Sequence, residues 1–361
     1  MKYKDEFAGS GLAKKLIDKI NEINPGTDLN FMEVCGTHTM SIAKYGIKSV
    51  LPENIHLLSG PGCPVCVTGN KDIDLIVEYA RCDDVVIATF GDMFKVPGSY
   101  SSLAKEKANG RDIRIVYSAV DAIDIAMKNP DKKVVFMGIG FETTAPTIAA
   151  AILEAERQNI NNFYILSAFK VVPDVLEILV NDPQLKLDGL ICPGHLSTIT
   201  GTRIYEPLVG KYNIPCVVTG FEPLDVLQGI YMLIKQNVEG TPKVENQYKR
   251  AVPHDGNKIA MDMLDKVFEI SSSNWRGIGD IPKSGLKLRE KYKEFDIERI
   301  MPVKIDEVQE NPGCICGFIL RGIKTPKDCG LFKEVCNPEN PVGACMVSSE
   351  GTCAAYYKYN Q

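Results

Sequence analysis

At 361 residues, with 45% hydrophobic and 24% charged side chains, the chain has the composition of a folded globular protein long enough for more than one domain. A net charge of −5 argues against nucleic acid as a partner, because phosphate binding needs a basic surface. No apolar run reaches the ~20 residues that cross a bilayer. The opening MKYKDEFAGSGLAKKLIDKI mixes charges where a secretory signal would be apolar, so no membrane association is expected and the cytoplasm is the expected compartment.

In chain order, residues 11–22 place Leu12, Leu16 and Ile20 on one face, the pattern of an amphipathic helix. FMEVCGTHTM (31–40) follows with Cys35, Thr37, His38 and Thr39 gathered behind a short apolar run. A thiol, two hydroxyls and an imidazole around one glycine suit a ligand site, and a neighbouring imidazolium would favour the thiolate. They suit an inert core equally well. From residue 55 a β/α alternation begins, with strands expected at 55–60, 84–91 and 113–118. Helices are expected at 71–80, 100–110 and 119–129. GPGCPVCVTG (60–69) separates the first strand and helix, and Cys63 and Cys66 have the spacing of a redox dithiol. Val67, Thr68 and Gly69 intervene before the helical pattern, so a helix dipole is expected to act on these sulfurs only weakly.

After NPDKK (129–133) the alternation restarts, with strands expected at 134–140, 163–169, 187–194 and 214–220 and helices at about 143–157, 172–181, 203–211 and 223–236. The fold expected is α/β: two similar parallel-sheet α/β lobes facing a cleft, residues 1–130 and 131–240. A loop-rich, cysteine-rich third domain is expected over 241–361. Asp92, Glu142 and His195 fall in turns at strand ends, where α/β sheets bind ligands, and each also suits a cap or turn. No nucleotide-binding glycine motif is present.

Of twelve cysteines, Cys82, Cys192 and Cys216 are scattered, while Cys314, Cys316, Cys329, Cys336, Cys345 and Cys353 crowd the last fifty residues. Such crowding in a chain without a secretory signal points to metal or redox chemistry rather than structural disulfides. The tail contains neither paired zinc knuckles nor ferredoxin spacing. An iron–sulfur cluster, whose ligands need not be sequence neighbours, is the favoured reading over zinc or disulfides.

CGTHTM, GPGCPVC, FGDM…VPGS, GFETTAP, PGH, WRGIG and the cysteine tail ending PVGACMVSSEGTCAAYYKY occur in this order. Together they resemble the HypD family of [NiFe]-hydrogenase maturation factors, from about residue 31 to the C-terminus. The resemblance implies a cytoplasmic scaffold on which the Fe(CN)2CO group is assembled with a HypC-like chaperone, cyanide arriving from a HypE-like donor working with HypF. It implies two α/β lobes and a C-terminal [4Fe–4S] cluster. On the same footing Cys35 would hold the cargo iron, with Thr37 and His38 orienting it or bonding its diatomic ligands. Cys63 and Cys66 would relay electrons between cleft and cluster. Cys329, Cys336, Cys345 and Cys353 would bind the cluster, with Cys316 able to replace one of them. An iron–sulfur thiol–disulfide oxidoreductase acting on a protein partner is the alternative, and a zinc-stabilised binding module a third reading.

Overall fold

The apolar, β-branched runs become strands, and most pair in parallel. In the computed structural model, which describes residues 11–359, one sheet has the order β2-β1-β7-β8-β9 and a second the order β4-β3-β5-β6. The first contains β1 (Leu29–Glu33), β2 (Ile55–Ser59), β7 (Gly189–Pro193), β8 (Cys216–Thr219) and β9 (Val244–Asn246). The second contains β3 (Val85–Thr89), β4 (Ile113–Ile115), β5 (Lys133–Gly138) and β6 (Phe163–Ser167). Every residue of β3, β7 and β8 is buried, as strands covered on both faces require. The chain is thus mixed α/β, and the expected helices form close to their expected positions, among them Gly11–Ile23, Asn70–Arg81, Ala119–Lys128, Ala145–Arg157 and Pro223–Glu239.

The sheets do not follow the expected segments 1–130 and 131–240. β3 pairs with β5 across residue 130, and β1 pairs with β7 over more than 150 residues of sequence. A parallel strand has no local turn to name its neighbour, so the alternation identifies strands without their pairing.

The loop-rich expectation for 241–361 also needs correction. Residues 268–288 form an antiparallel hairpin of β10 (Phe268–Trp275) and β11 (Gly279–Leu288), in register from Phe268↔Leu288 to Trp275↔Gly279 with an irregularity between Ser271 and Ser273. Its serines, asparagine and glycines imitate a loop, yet Phe268 and Trp275 are buried, and the indole Nε1 donates to Ser284 Oγ at 2.9 Å. The hairpin fastens two distant segments. Trp275 bridges Thr68 and the Arg276 amide donates to Val67 O at 2.9 Å, while Gly285 bridges Lys170. No helix among the described residues is long and apolar enough to cross a membrane.

Lys170 is fully buried, and its Nζ donates to Asp72 Oδ2 at 3.0 Å and Ser273 Oγ at 2.7 Å, joining the helix Asn70–Arg81 to the hairpin. Asp72→Ala strands that ammonium and should destabilise the protein by about 3–5 kcal/mol in urea unfolding, whereas Asp72→Ala combined with Lys170→Met should recover most of the loss.

Candidate functional site

Cys35 follows β1 and stands in extended conformation at the N-cap of the helix Gly36–Lys44. Two loops close on it. The Gly36 amide donates to Gly62 O at 3.0 Å, and the Gly60 amide to Glu33 O at 2.8 Å, laying the GPGC turn against the CGTH turn. A β-carbon on Gly62 would stand 2.1 Å from the Cys35 nitrogen, so the approach requires glycine. From the C-terminal tail Glu350 accepts a hydrogen bond from Thr37 Oγ1 at 2.6 Å, and Ser348 Oγ donates to Asp92 Oδ2 at 3.4 Å.

Burial governs the titration here. It pushes the Cys35 thiol up to about 12, with Glu350 and Glu33 adding to the rise and the Thr37 and His38 amides of the first helical turn opposing it. His38 is held neutral, its pKa lowered by burial to about 4. Its Nε2 donates to Gly220 O at 3.0 Å and lies 2.8 Å from Thr219 Oγ1, while Nδ1 is buried without a partner. The expected imidazolium–thiolate pair is therefore not formed in this structure; the ring turns toward the end of β8. Thr39 donates to Glu33, a carboxyl that also accepts from the Cys35 amide at 3.2 Å and that burial raises to about 8.

Cys63 and Cys66 are joined as a disulfide. Contrary to expectation, a helical turn begins directly at the motif: Cys63 caps Pro64–Val67, and the Cys66 amide donates to Cys63 Sγ at 3.2 Å. All three early cysteines are buried, and the disulfide shares one apolar core with Cys316 and Cys345.

All six tail cysteines line one small cavity of about 10 Å³, with Phe332 and Met346 among its walls. Cys316 and Cys345 stand with their Sγ atoms 2.8 Å apart. Cys336 Sγ accepts from the Val342 amide at 3.4 Å, and a β-carbon on Gly343 would come within 2.7 Å of Cys314 Sγ. Amides aimed at sulfur and backbone pressed against it suit thiolates around an iron–sulfur cluster. Among the described residues no three cysteine, histidine or carboxylate side chains converge to hold a single metal ion. The donor set is instead a group of neighbouring sulfurs, in which Cys316 interacts with Cys314 and Cys345, and Cys345 with Cys353.

The HypD family, described as the hydrogenase formation hypA family, matches residues 11–360. The chain belongs to the HypD family. It is 51% identical over 353 residues to a hydrogenase expression/formation protein of Methanocaldococcus jannaschii, covering 97% of this chain and 98% of that protein. It is 45% identical over 370 residues to the hydrogenase maturation factor HypD of Cupriavidus necator, covering 100% and 98% of the two chains. Against HypD of Escherichia coli it is 42% identical over 368 residues, covering 100% and 99%.

In this HypD-family chain the other sequence candidates have local duties. Glu142 Oε1 accepts the Val172 amide at 3.0 Å at the start of the helix Pro173–Val180, and burial raises this carboxyl to about 7. His195 packs its ring on Phe221, 4.0 Å between centroids, and His38 lies 4.7 Å from the same ring. Cys192 and Cys216 are buried in β7 and β8, and Cys82 ends the helix Asn70–Arg81. Sequence reasoning missed Glu33, Glu350 and Phe221. Glu33 alone carried a signal, an acid within an otherwise apolar run.

Glu33 binds a proton more tightly folded than unfolded, so the stability this contributes is complete below about 4.5 and is lost as pH rises through about 8. His38 acts oppositely, its contribution lost as pH falls from 6.5 through about 4. Urea midpoints measured across pH should decline less on the alkaline side for Glu33→Gln than for the unsubstituted protein; parallel profiles would contradict this assignment.

Proposed function

We propose that this chain acts in hydrogenase maturation as the scaffold on which the Fe(CN)2CO group is assembled, together with a HypC-like chaperone and a HypE-like cyanide donor working with HypF. The observation that carries this reading is the position of Cys35, a buried thiol whose motif meets the disulfide-bearing loop on one side and, through Thr37, Glu350 of the cysteine tail on the other. Soft, low-spin iron suits a thiolate, and a water-poor surrounding suits diatomic ligands. Cyanide nitrogens need donors, which Thr37, Thr39 and nearby amides can offer if Thr37 and Thr39 release their carboxylates. Cargo iron displaces the Cys35 proton, which passes to solvent, while Glu33, kept protonated by burial, holds Thr39 and the Cys35 amide in place.

The tail cysteines would hold a [4Fe–4S] cluster, which supplies electrons singly when bound. The sequence favours Cys329, Cys336, Cys345 and Cys353 as ligands. The contact of Cys345 with Cys316 favours another division, since ligands on separate irons stand further apart than 2.8 Å. In it Cys314, Cys329, Cys336 and Cys353 are the ligands, and Cys316 and Cys345 form a second dithiol between them and Cys63–Cys66. The short helix Pro64–Val67 packs on the turn Ala344–Met346, which contains Cys345. The fold support for two α/β lobes is the pair of parallel sheets, and the tail meets the segments that follow β1, β2 and β3.

A cluster-bearing thiol–disulfide oxidoreductase would use the same dithiols without needing Cys35. Cys35→Ala should keep the brown cluster absorption yet lose hydrogenase maturation and the cyanide and carbonyl infrared stretches of protein purified anaerobically with its partners. Maturation at the ordinary level in that variant would favour the oxidoreductase.

A further inference from the structure

Beside the cysteine cavity lies a second, open cleft of about 420 Å³, whose lining includes Asn70, Ser99, Arg276, Glu310, Cys314 and Cys316. Two of its polar side chains are more than nine-tenths buried and incompletely partnered. Arg276 is 6% exposed; its Nε donates to Thr68 O at 3.0 Å, while Nη2 has no acceptor. Asn70 is 4% exposed; its Nδ2 donates to Gln309 O at 2.5 Å, while Oδ1 has no donor. An unmet guanidinium donor in a buried position is costly, and so is an unmet amide oxygen, unless something that binds there completes them.

The two vacancies differ in chemistry. Arg276 asks for an anionic oxygen, and a planar guanidinium suits a carboxylate. Asn70 Oδ1 asks for an N–H, and the Glu310 carboxylate on the same wall favours a cationic amine. Carboxylate and amine a short distance apart, above a thiol, describe an amino-acid thiol or its disulfide. We propose that this cleft binds a small amino-acid disulfide of the cystine type, or the corresponding thiol, and exchanges it with Cys316 and Cys345. This rests on the pairing of Cys316 with Cys345 given above.

The exchange balances without another reagent. Cys316 sulfur attacks one sulfur of the bound disulfide, forming a mixed disulfide and expelling one amino-acid thiolate. Cys345 sulfur attacks Cys316 Sγ, closing the protein disulfide and expelling the second thiolate. The two protons given up by the protein thiols pass to the two leaving thiolates. The protein pair loses two electrons and the ligand gains two; run backward, two amino-acid thiols reduce the pair.

The test uses full-length protein purified anaerobically, exposed to L-cystine or to cystamine, which lacks the carboxylates. Rates are corrected for the reactivity of each with a free small thiol, and adducts are mapped by peptide mass spectrometry. In Cys345→Ser, which cannot resolve the mixed disulfide, the adduct should collect on Cys316. Cystine should react roughly tenfold faster than cystamine, the scale of one charge-assisted hydrogen bond. Arg276→Gln should abolish that preference and Arg276→Lys should keep part of it. Asn70→Asp, nearly isosteric, provides a second variant: it puts a carboxylate beside the amine that both reagents carry, so it should speed both and keep the preference for cystine.

Equal corrected rates for the two reagents, an adduct on cysteines other than Cys316, an unchanged preference in Arg276→Gln, or a slowing of both reagents in Asn70→Asp would overturn the site. An adduct on Cys316 in Cys345→Ser, with no Cys316–Cys345 disulfide in the unsubstituted protein, would support the cleft and refute the pairing. Infrared bands of the cargo do not enter this readout, so the scaffold reading fails or stands separately.

Discussion

The missing side chain of Gly62 sets the geometry on which the site depends. Because no β-carbon intervenes, the GPGC turn reaches the backbone of Cys35, and the Gly36 amide finds its acceptor on Gly62. The same contact places Cys63, one residue further, beside the loop that carries Cys35. Helical capping then fixes the direction of both motifs, Cys35 at the start of Gly36–Lys44 and Cys63 at the start of Pro64–Val67. Two N-cap cysteines, from loops after the parallel neighbours β1 and β2, thereby lie at the same end of one sheet.

What closes that region is the tail. Its 3-10 turn at Ala344–Met346 packs on the CPVC helix, and Glu350, a few residues later, bonds Thr37. One short segment thus touches both early motifs, and the hairpin β10–β11 holds the CPVC side in place through Thr68 and Arg276. The low-dielectric surroundings that result keep Cys35 a thiol, Glu33 protonated to about 8 and His38 neutral. The proposed exchange of the Cys35 proton for cargo iron is eased when the proton is held among neutral partners rather than fixed in an ion pair.

The sequence made the strands legible because parallel strands buried on both faces are continuous apolar runs, as VVIAT at 85–89 illustrates. Cys35, Cys63, Cys66 and the crowded tail were legible because thiols at such density have few bland explanations. Their neighbours were not. Glu350 sits in a Ser-Glu-Gly turn that reads as solvent-facing, and its partner Thr37 is 313 positions away. Arg276 lies beside a hairpin whose serines and glycines look like loop, although its tryptophan and phenylalanine are core. The short reach between Cys316 and Cys345 is likewise a tertiary fact, since 29 residues separate them.

On the proposed function, electrons pass from the tail cysteines to Cys63–Cys66 through the contact of the CPVC helix with the turn Ala344–Met346. The most direct measurement of that passage is the rate at which the Cys63–Cys66 disulfide opens when protein carrying the cluster is reduced anaerobically, read by differential thiol labelling and mass spectrometry. The account predicts that replacing both Cys316 and Cys345 by serine leaves the cluster reducible and greatly slows the opening. Opening at an unchanged rate in that variant would contradict it.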